Sequence, residues 1–404
     1  MGFDLNTLEV KKESILYFFS LSAVFFLILT NLYQITAFFF NLNPKFVNFL
    51  LGFSFLLSLI TIVVYFFLKK IYIKEFIFIY LFVFFILISI IFQYTFLNYS
   101  GSILSYKNVL SFTIGGLIWL FIGMVLNFCK DLSKLKYVIF TLFIYITFLI
   151  LININEYFLI SYYAMSIERG VDELYNHLNI GSSYAFLLIL CIAIFKKYDF
   201  YIFLLCLFFF YSLGGRGNFI LFYFAVNIYW FLGGNYKKVI SSFIIVLIIL
   251  LFASIVFANS PDSVLRMLSI LSATNISEDD SFNQRIYIFN NSFIDFPKQA
   301  LFGDPELIVK RFFSFGAYQH NILSFWQFYG ATVFIFIFIF LIKISKYIFV
   351  NRLFLIQHTN SRFLTLLTIF CFLSIIFVKS ATFYPFWFCL GYWLFNKDFI
   401  LERK

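Results

Sequence analysis

The chain has 404 residues, of which 63% are hydrophobic and 25% aromatic but only 12% charged, and its formal net charge is +10. A soluble domain covers one core with a charged surface; this composition cannot, which excludes the soluble classes and leaves the membrane. A helix crosses a bilayer with about 20 consecutive apolar residues, and such runs recur from end to end of the sequence. The expected fold is therefore all-α and integral to the membrane, a single polytopic domain over residues 1–404 with about twelve transmembrane helices.

In chain order the spans read 15–36, 46–68, 75–96, 108–128, 137–155, 181–195, 199–213, 218–232, 238–258, 320–342, 362–378 and 381–396. The first follows a charged start, but its apolar run is long and no small-x-small cleavage site follows. It reads as an uncleaved span, not a signal peptide. Lysine and arginine set the orientation. A cytoplasmic N-terminus collects Lys11, Lys12, Lys69, Lys70, Lys74, Lys130, Lys134, Lys136, Lys196, Lys197, Lys237, Lys238, Lys343, Lys346, Arg352, Arg362, Lys397, Arg403 and Lys404 on that side. The short outer loops keep only Lys45, Lys107, Arg169, Arg216 and Lys379. Both termini then lie in the cytoplasm, and the positive charge is a topology signal, not a mark of nucleic acid. Cys129, Cys191, Cys206, Cys371 and Cys389 lie in or at the ends of apolar spans without metal-ligand spacing, and read as packing residues.

No charged residue stands in the middle of the clearest spans, so the polar chemistry gathers on the outer face, in three places. The loop 156–180 carries Glu156, Glu168, Arg169, Asp172, Glu173 and His177, and reads as a solvated interfacial loop or an amphipathic lid. The turn "SLGGRGNF" holds Arg216 between Gly215 and Gly217 in the shortest outer connection. Glycines there let the backbone approach a ligand, and a guanidinium is the planar fork that matches phosphate; the bland alternative is an arginine snorkelling to headgroups. The third place is the loop 259–319, between the ninth and tenth spans. Segments 262–273 and 282–296 show helical apolar spacing, with Phe282, Ile286, Phe289, Phe293 and Phe296 on one face, which suits helices lying in the membrane interface. Arg285 lies on the second. Glu278, Asp279 and Asp280 precede it, a weak cation cluster but a favourable start for a helix. "FPKQALFGDP" then breaks the helix, Lys310 and Arg311 follow, and "AYQHNILSFWQFYG" brings Tyr318, His320 and Asn321 to the start of the next span.

These features, in this order, resemble the bacterial O-antigen polymerase and O-antigen ligase family (Wzy-type and WaaL-type), membrane glycosyltransferases of the GT-C class. The matching residues are Arg216 in its small-residue turn, Arg285 to Phe289 opening a surface helix, Pro297 and Leu301 to Gly303 at the break, and "HN" followed by "YG". The motifs cover about residues 211–335, the architecture nearly the whole chain. Gly330 follows Asn321 after eight residues where the family has typically nine, with Val333 where a small or aromatic residue is usual, and "GGRG" lacks the hydroxyl residue more often found before the arginine in ligases; these departures weaken the ligase reading more than the family assignment.

The resemblance implies a donor glycan on undecaprenyl pyrophosphate, transferred at the periplasmic face of the bacterial inner membrane, with 259–319 as a large periplasmic loop. A polymerase moves the growing chain onto the next lipid-linked repeat unit; a ligase moves it onto lipid A–core. Partners would be lipid-linked oligosaccharides, membrane lipid, and chain-length regulator and flippase proteins, with no nucleic acid, metal or other cofactor. Transfer makes a diphosphate leaving group, which fixed cations stabilise. Arg216 and Arg285 are the candidates, with Arg311, Asn321, Tyr318, Gly215 and Gly217 contacting substrate. His320 is the candidate general base, an imidazole suited to take the acceptor's proton; its alternative role is capping the helix with Asn321. His177 and His358 read as structural. A lipid-linked oligosaccharide flippase has a similar number of spans, but its ionisable residues belong in a central cavity, the reverse of this pattern.

Overall fold

The computed structural model describes residues 5–40, 42–43, 45–68, 77–96, 106–154, 160, 177–213, 216–256, 280–294, 297, 301–307 and 321–396. The helices are α1 (Leu5–Phe40), α2 (Lys45–Leu68), α3 (Ile77–Phe96), α4 (Tyr106–Val125), α5 (Lys136–Leu151), α6 (His177–Ile194), α7 (Asp199–Ser212), α8 (Arg216–Leu232) and α9 (Tyr236–Val256). After them come α10 (Asp280–Ser292), α11 (Ser324–Val350), α12 (Thr359–Phe377) and α13 (Tyr384–Phe395). Short 3₁₀ turns stand at 126–128, 132–135 and 196–198, and no strand occurs among the described residues. Seven helices there are long and apolar enough to cross a membrane: α1 to α4, the segment Leu132–Leu151 that contains α5, α11 and α12. The chain is thus an all-α, multi-pass membrane protein.

Two physical signatures accompany that reading. Large apolar side chains face outwards, Phe67 at 86% exposure, as suits a surface against lipid rather than water. Polar side chains within the apolar helices fold back onto their own helix, where no water can satisfy them. Thr30 Oγ1 donates to Phe26 O at 2.8 Å, Ser58 Oγ to Ser54 O at 2.8 Å, and Asn31 Nδ2 to Leu27 O at 2.9 Å.

Helix ends differ from the expectation more than helix centres. α1 extends beyond 15–36 in both directions, and α6 starts at His177 instead of 181. α11 starts at Ser324 instead of 320 and reaches Val350. Lys343 and Lys346 stay within it, because long cationic side chains can carry their charge to a membrane surface from inside a helix. α10 covers Asp280–Ser292 rather than 282–296, opening on an acidic residue and stopping short of Pro297. The helix expected at 262–273 and the loop 161–176 lie outside the described residues.

The chain divides into two compact units. The first comprises Met1–Ile60, Phe128–Ile276 and Asn351–Phe370. At its centre α6 is apolar on every side and buried along most of its length, touching α1, α5, α7 and α8. Ser183 Oγ on α6 donates to Gln34 Oε1 on α1 at 2.7 Å, and Ser54 Oγ on α2 to Ala23 O at 2.7 Å. At the C-terminal end of α6, buried Arg362 places Nε and Nη2 on Ala193 O at 2.8 and 2.6 Å, a cation on the negative end of a helix. Nearby in sequence, buried Asp199 accepts from Lys238 Nζ at 2.6 Å and Trp230 Nε1 at 3.0 Å. All five cysteines are free and buried, as expected for packing residues.

The second unit comprises Thr61–Asn127, Ser277–Val350 and Cys371–Lys404. Its most extensive pair is α4 with α13, brought to backbone contact by small residues: a side chain on Gly123 would collide with Phe388 O, and one on Gly391 with Leu120 O. α3 packs on α11, and that pair frames the site described next.

Candidate functional site

The chain approaching α11 turns at Asn321, whose Oδ1 accepts from Leu323 N at 2.9 Å while its carbonyl accepts from Ser324 N at 3.0 Å. Asn321 therefore precedes the helix and caps it, the capping role weighed for it in the sequence. Behind it Ser324 Oγ accepts from Ala381 N at 2.7 Å, and Trp387 Nε1 donates to Ala381 O at 2.7 Å, fixing the start of α11 to the segment before α13.

One and a half turns on, the helix breaks. Gly330 has φ 83° and ψ 177°, a conformation open essentially only to glycine. Three successive carbonyls before the break accept from donors off the helix. Gln327 O takes Asp304 N at 2.9 Å, Phe328 O takes Gln93 Nε2 at 2.7 Å, and Tyr329 O takes Ser89 Oγ at 2.8 Å. The same Gln93 Nε2 donates to Phe302 O at 2.7 Å, so one amide on α3 ties the 301–304 segment and the broken turn together. Tyr329 Oη meets Thr113 Oγ1 at 3.1 Å, and the rings of Phe92 and Phe302 stack at 4.2 Å.

The fit is reciprocal. Gly303, at φ 73°, lies so close that a Cβ there would stand 2.7 Å from Gln327 O, and a Cβ on Gly330 would stand 2.6 Å from Phe302 N. The "LFG" and "YG" motifs are thus two faces of one backbone contact. Asp304 Oδ1 then accepts from Glu306 N at 3.1 Å and Leu307 N at 3.3 Å, with Pro305 at the first helical position, an ordinary helix start that buries the Glu306 side chain.

In the same unit α10 keeps Ile288 buried and leaves Ile286 and Phe289 exposed, with Phe293 exposed just past its end, so much of the apolar stripe expected at the membrane interface faces outwards. Arg285 belongs to this helix; its side chain lies outside the described residues. In the first unit, the backbone of Arg216 opens α8, with half-buried Gly217 next to it. The Arg216 side chain, Gly215, Arg311, Tyr318 and His320 lie outside the described residues, as does the His177 side chain. His358 is exposed, with its ring edge-on to Phe354.

No known protein family, curated protein or solved structure matches the chain.

Sequence reasoning missed Ser89, Gln93, Asn218 and Glu306. The first two stand four residues apart in "ILISIIFQYTF", on one face of an otherwise apolar helix, and that spacing was a usable signal. Asn218 belongs to the glycine-rich turn "SLGGRGNF", where composition alone does not mark it.

Proposed function

We propose that the protein is a glycan polymerase of the bacterial inner membrane, transferring a growing surface polysaccharide from a lipid diphosphate carrier onto the next lipid-linked repeat unit. What supports the reading is the reciprocal packing of Gly303 and Gly330. It makes two motifs of the O-antigen polymerase resemblance, distant in sequence, one folded element beside the Asn321 turn. On this reading α1 to α9 and α11 to α13 each cross the membrane once, both termini are cytoplasmic, and 259–319 is periplasmic, with α10 in the interface.

The chemistry follows from the residue types. The acceptor hydroxyl oxygen bonds to the anomeric carbon as that carbon's bond to the diphosphate oxygen breaks. His320 takes the hydroxyl proton, and the diphosphate leaves with the electron pair, its charge balanced by Arg216 and Arg285. Arg311, Tyr318, Gly215 and Gly217 contact substrate, and Asn321, committed through Oδ1 to its own turn, also fixes the direction of the chain next to His320.

The test is a gel ladder of surface polysaccharide from a deletion strain carrying each variant, with immunoblots for protein level. His320→Ala should insert normally yet stop the glycan at one repeat unit, because a general base contributes about 10²–10⁴-fold to rate. Arg216→Lys should lose most polymer despite keeping its charge. Long chains from both variants at normal abundance would refute the assignment. Bare core with lipid-linked polymer accumulating in the deletion strain would replace polymerase by ligase.

A further inference from the structure

Asn218 is 1% exposed, and neither its Nδ2 nor its Oδ1 has a hydrogen-bond partner among the described residues. A buried amide with both ends unsatisfied is costly, and in an apolar helix it calls for an explanation. Its surroundings supply one. Asn218 lies in the first turn of α8, and its Nδ2 rests against Gly181, near the start of α6, where any side chain would displace it. α6, α7 and α8 follow one another through short turns and touch pairwise, so α6 and α8 run parallel. Their N-terminal ends therefore point the same way, and the amide, in the first turn of α8, packs against the second turn of α6. About one turn further along α6 and α8, the rings of Phe210 and Phe222 lie 4.9 Å apart and that of Tyr184 lies 5.2 Å from Phe210.

The start of a helix carries N–H groups without intrahelical partners and the positive end of the dipole, the recurrent setting for a phosphoryl group, and the orphaned amide stands in that first turn of α8. We propose that Asn218 is a ligand-contacting residue, seating a phosphoryl-linked sugar at the N-terminus of α8, beside the start of α6. Its Nδ2 donates to a phosphoryl oxygen and its Oδ1 accepts from a neighbouring hydroxyl, which satisfies both halves of the amide at once. The inference deepens the phosphate-binding role given to Arg216, the residue that opens α8, and rests on it.

The orphaned amide gives the test an unusual sign. A polar residue that serves the fold destabilises it when removed, whereas one that serves a ligand stabilises the empty protein when made apolar. Full-length protein is melted in phosphatidylcholine nanodiscs, alone, with inorganic pyrophosphate, and with phosphatidate in the discs. Wild type should melt higher with a phosphoryl probe; a rise with pyrophosphate identifies free phosphate as sufficient, and a rise with phosphatidate alone identifies a lipid headgroup. Asn218→Leu should melt above wild type without the probe and bind it about ten- to a hundredfold more weakly. Asn218→Ala, which cannot overfill the space, should show the same weakened binding. The proposal is overturned if neither probe shifts wild type, if both variants keep the wild-type response, or if both melt lower than wild type without the probe. Binding through Asn218 in a protein that makes no polymer would sink the polymerase reading alone. Wild-type polymer from Asn218→Leu would sink this inference alone.

Discussion

Replacing Gly330 by alanine perturbs one backbone position and tests whether the break in α11 is held by its neighbours. The strain has two parts. Alanine at φ 83° and ψ 177° costs about 1–3 kcal/mol in backbone conformation. The added methyl would also meet Leu301 O and stand 2.6 Å from Phe302 N. These are backbone atoms, and moving them stretches the 2.7 Å bond from Gln93 Nε2 to Phe302 O, so relaxation is limited and overpacking adds roughly another 1–3 kcal/mol. A loss of roughly 2–6 kcal/mol is a large part of the 5–15 kcal/mol by which domains are typically stable. The assay is the midpoint of heat challenge for full-length protein in detergent, read by size-exclusion fluorescence. Gly52→Ala is the control: its Cβ meets nothing within 4 Å, and in helix it should be neutral or stabilising by up to about 1 kcal/mol. Gly303→Ala should destabilise in the same way. Because both glycines serve one contact, the double variant should lose less than the two single losses together. A Gly330→Ala protein melting with wild type would show that the 301–304 segment does not hold the break.

Lys238→Met should cost about 3 kcal/mol or somewhat less, since it leaves Asp199 buried with only Trp230 while Lys238 itself is 33% exposed; the same heat challenge measures it, and changing Asp199→Leu as well should restore most of the loss. Burial pushes the Cys129 thiol up to about 12, against a smaller lowering by the Asp131 backbone N–H. Folded protein at pH 8 should therefore take up no N-ethylmaleimide at Cys129 by intact mass until it is denatured. The folded pKa lies above the unfolded value near 8.5, so this contribution to stability is complete below about pH 8.5 and fades as pH rises toward 12. Cys129→Ala should remove that alkaline dependence.

Centres of helices were legible because apolar runs of this length have one outcome in a bilayer. Their ends were not, because a membrane helix stops where capping and packing stop it. The tenth span reads from residue 320 by composition, yet the Asn321 side chain prefers the turn it closes. Gly330 was legible as a letter in a motif, but its meaning depends on Leu301 and Phe302 arriving from a separate segment. Gln93 joins two stretches more than two hundred residues away, a relation no local window contains. Asn218 gives no local signal beside Arg216, because its isolation depends on Gly181 facing it from another helix.

The break in α11 also bears on how the protein meets membranes of different thickness. A straight helix of 27 residues would be about 40 Å long, well over the roughly 30 Å of a hydrocarbon core. Divided at Gly330, the straight part is residues 331–350, about 20 residues and so roughly 30 Å, a match without tilting. The stub 324–329 is tied to α3 through Ser89 and Gln93. A thinner or thicker bilayer can then lean the rod while Asn321 keeps its level against α3, as a hinged mast leans without lifting the deck fitting at its foot.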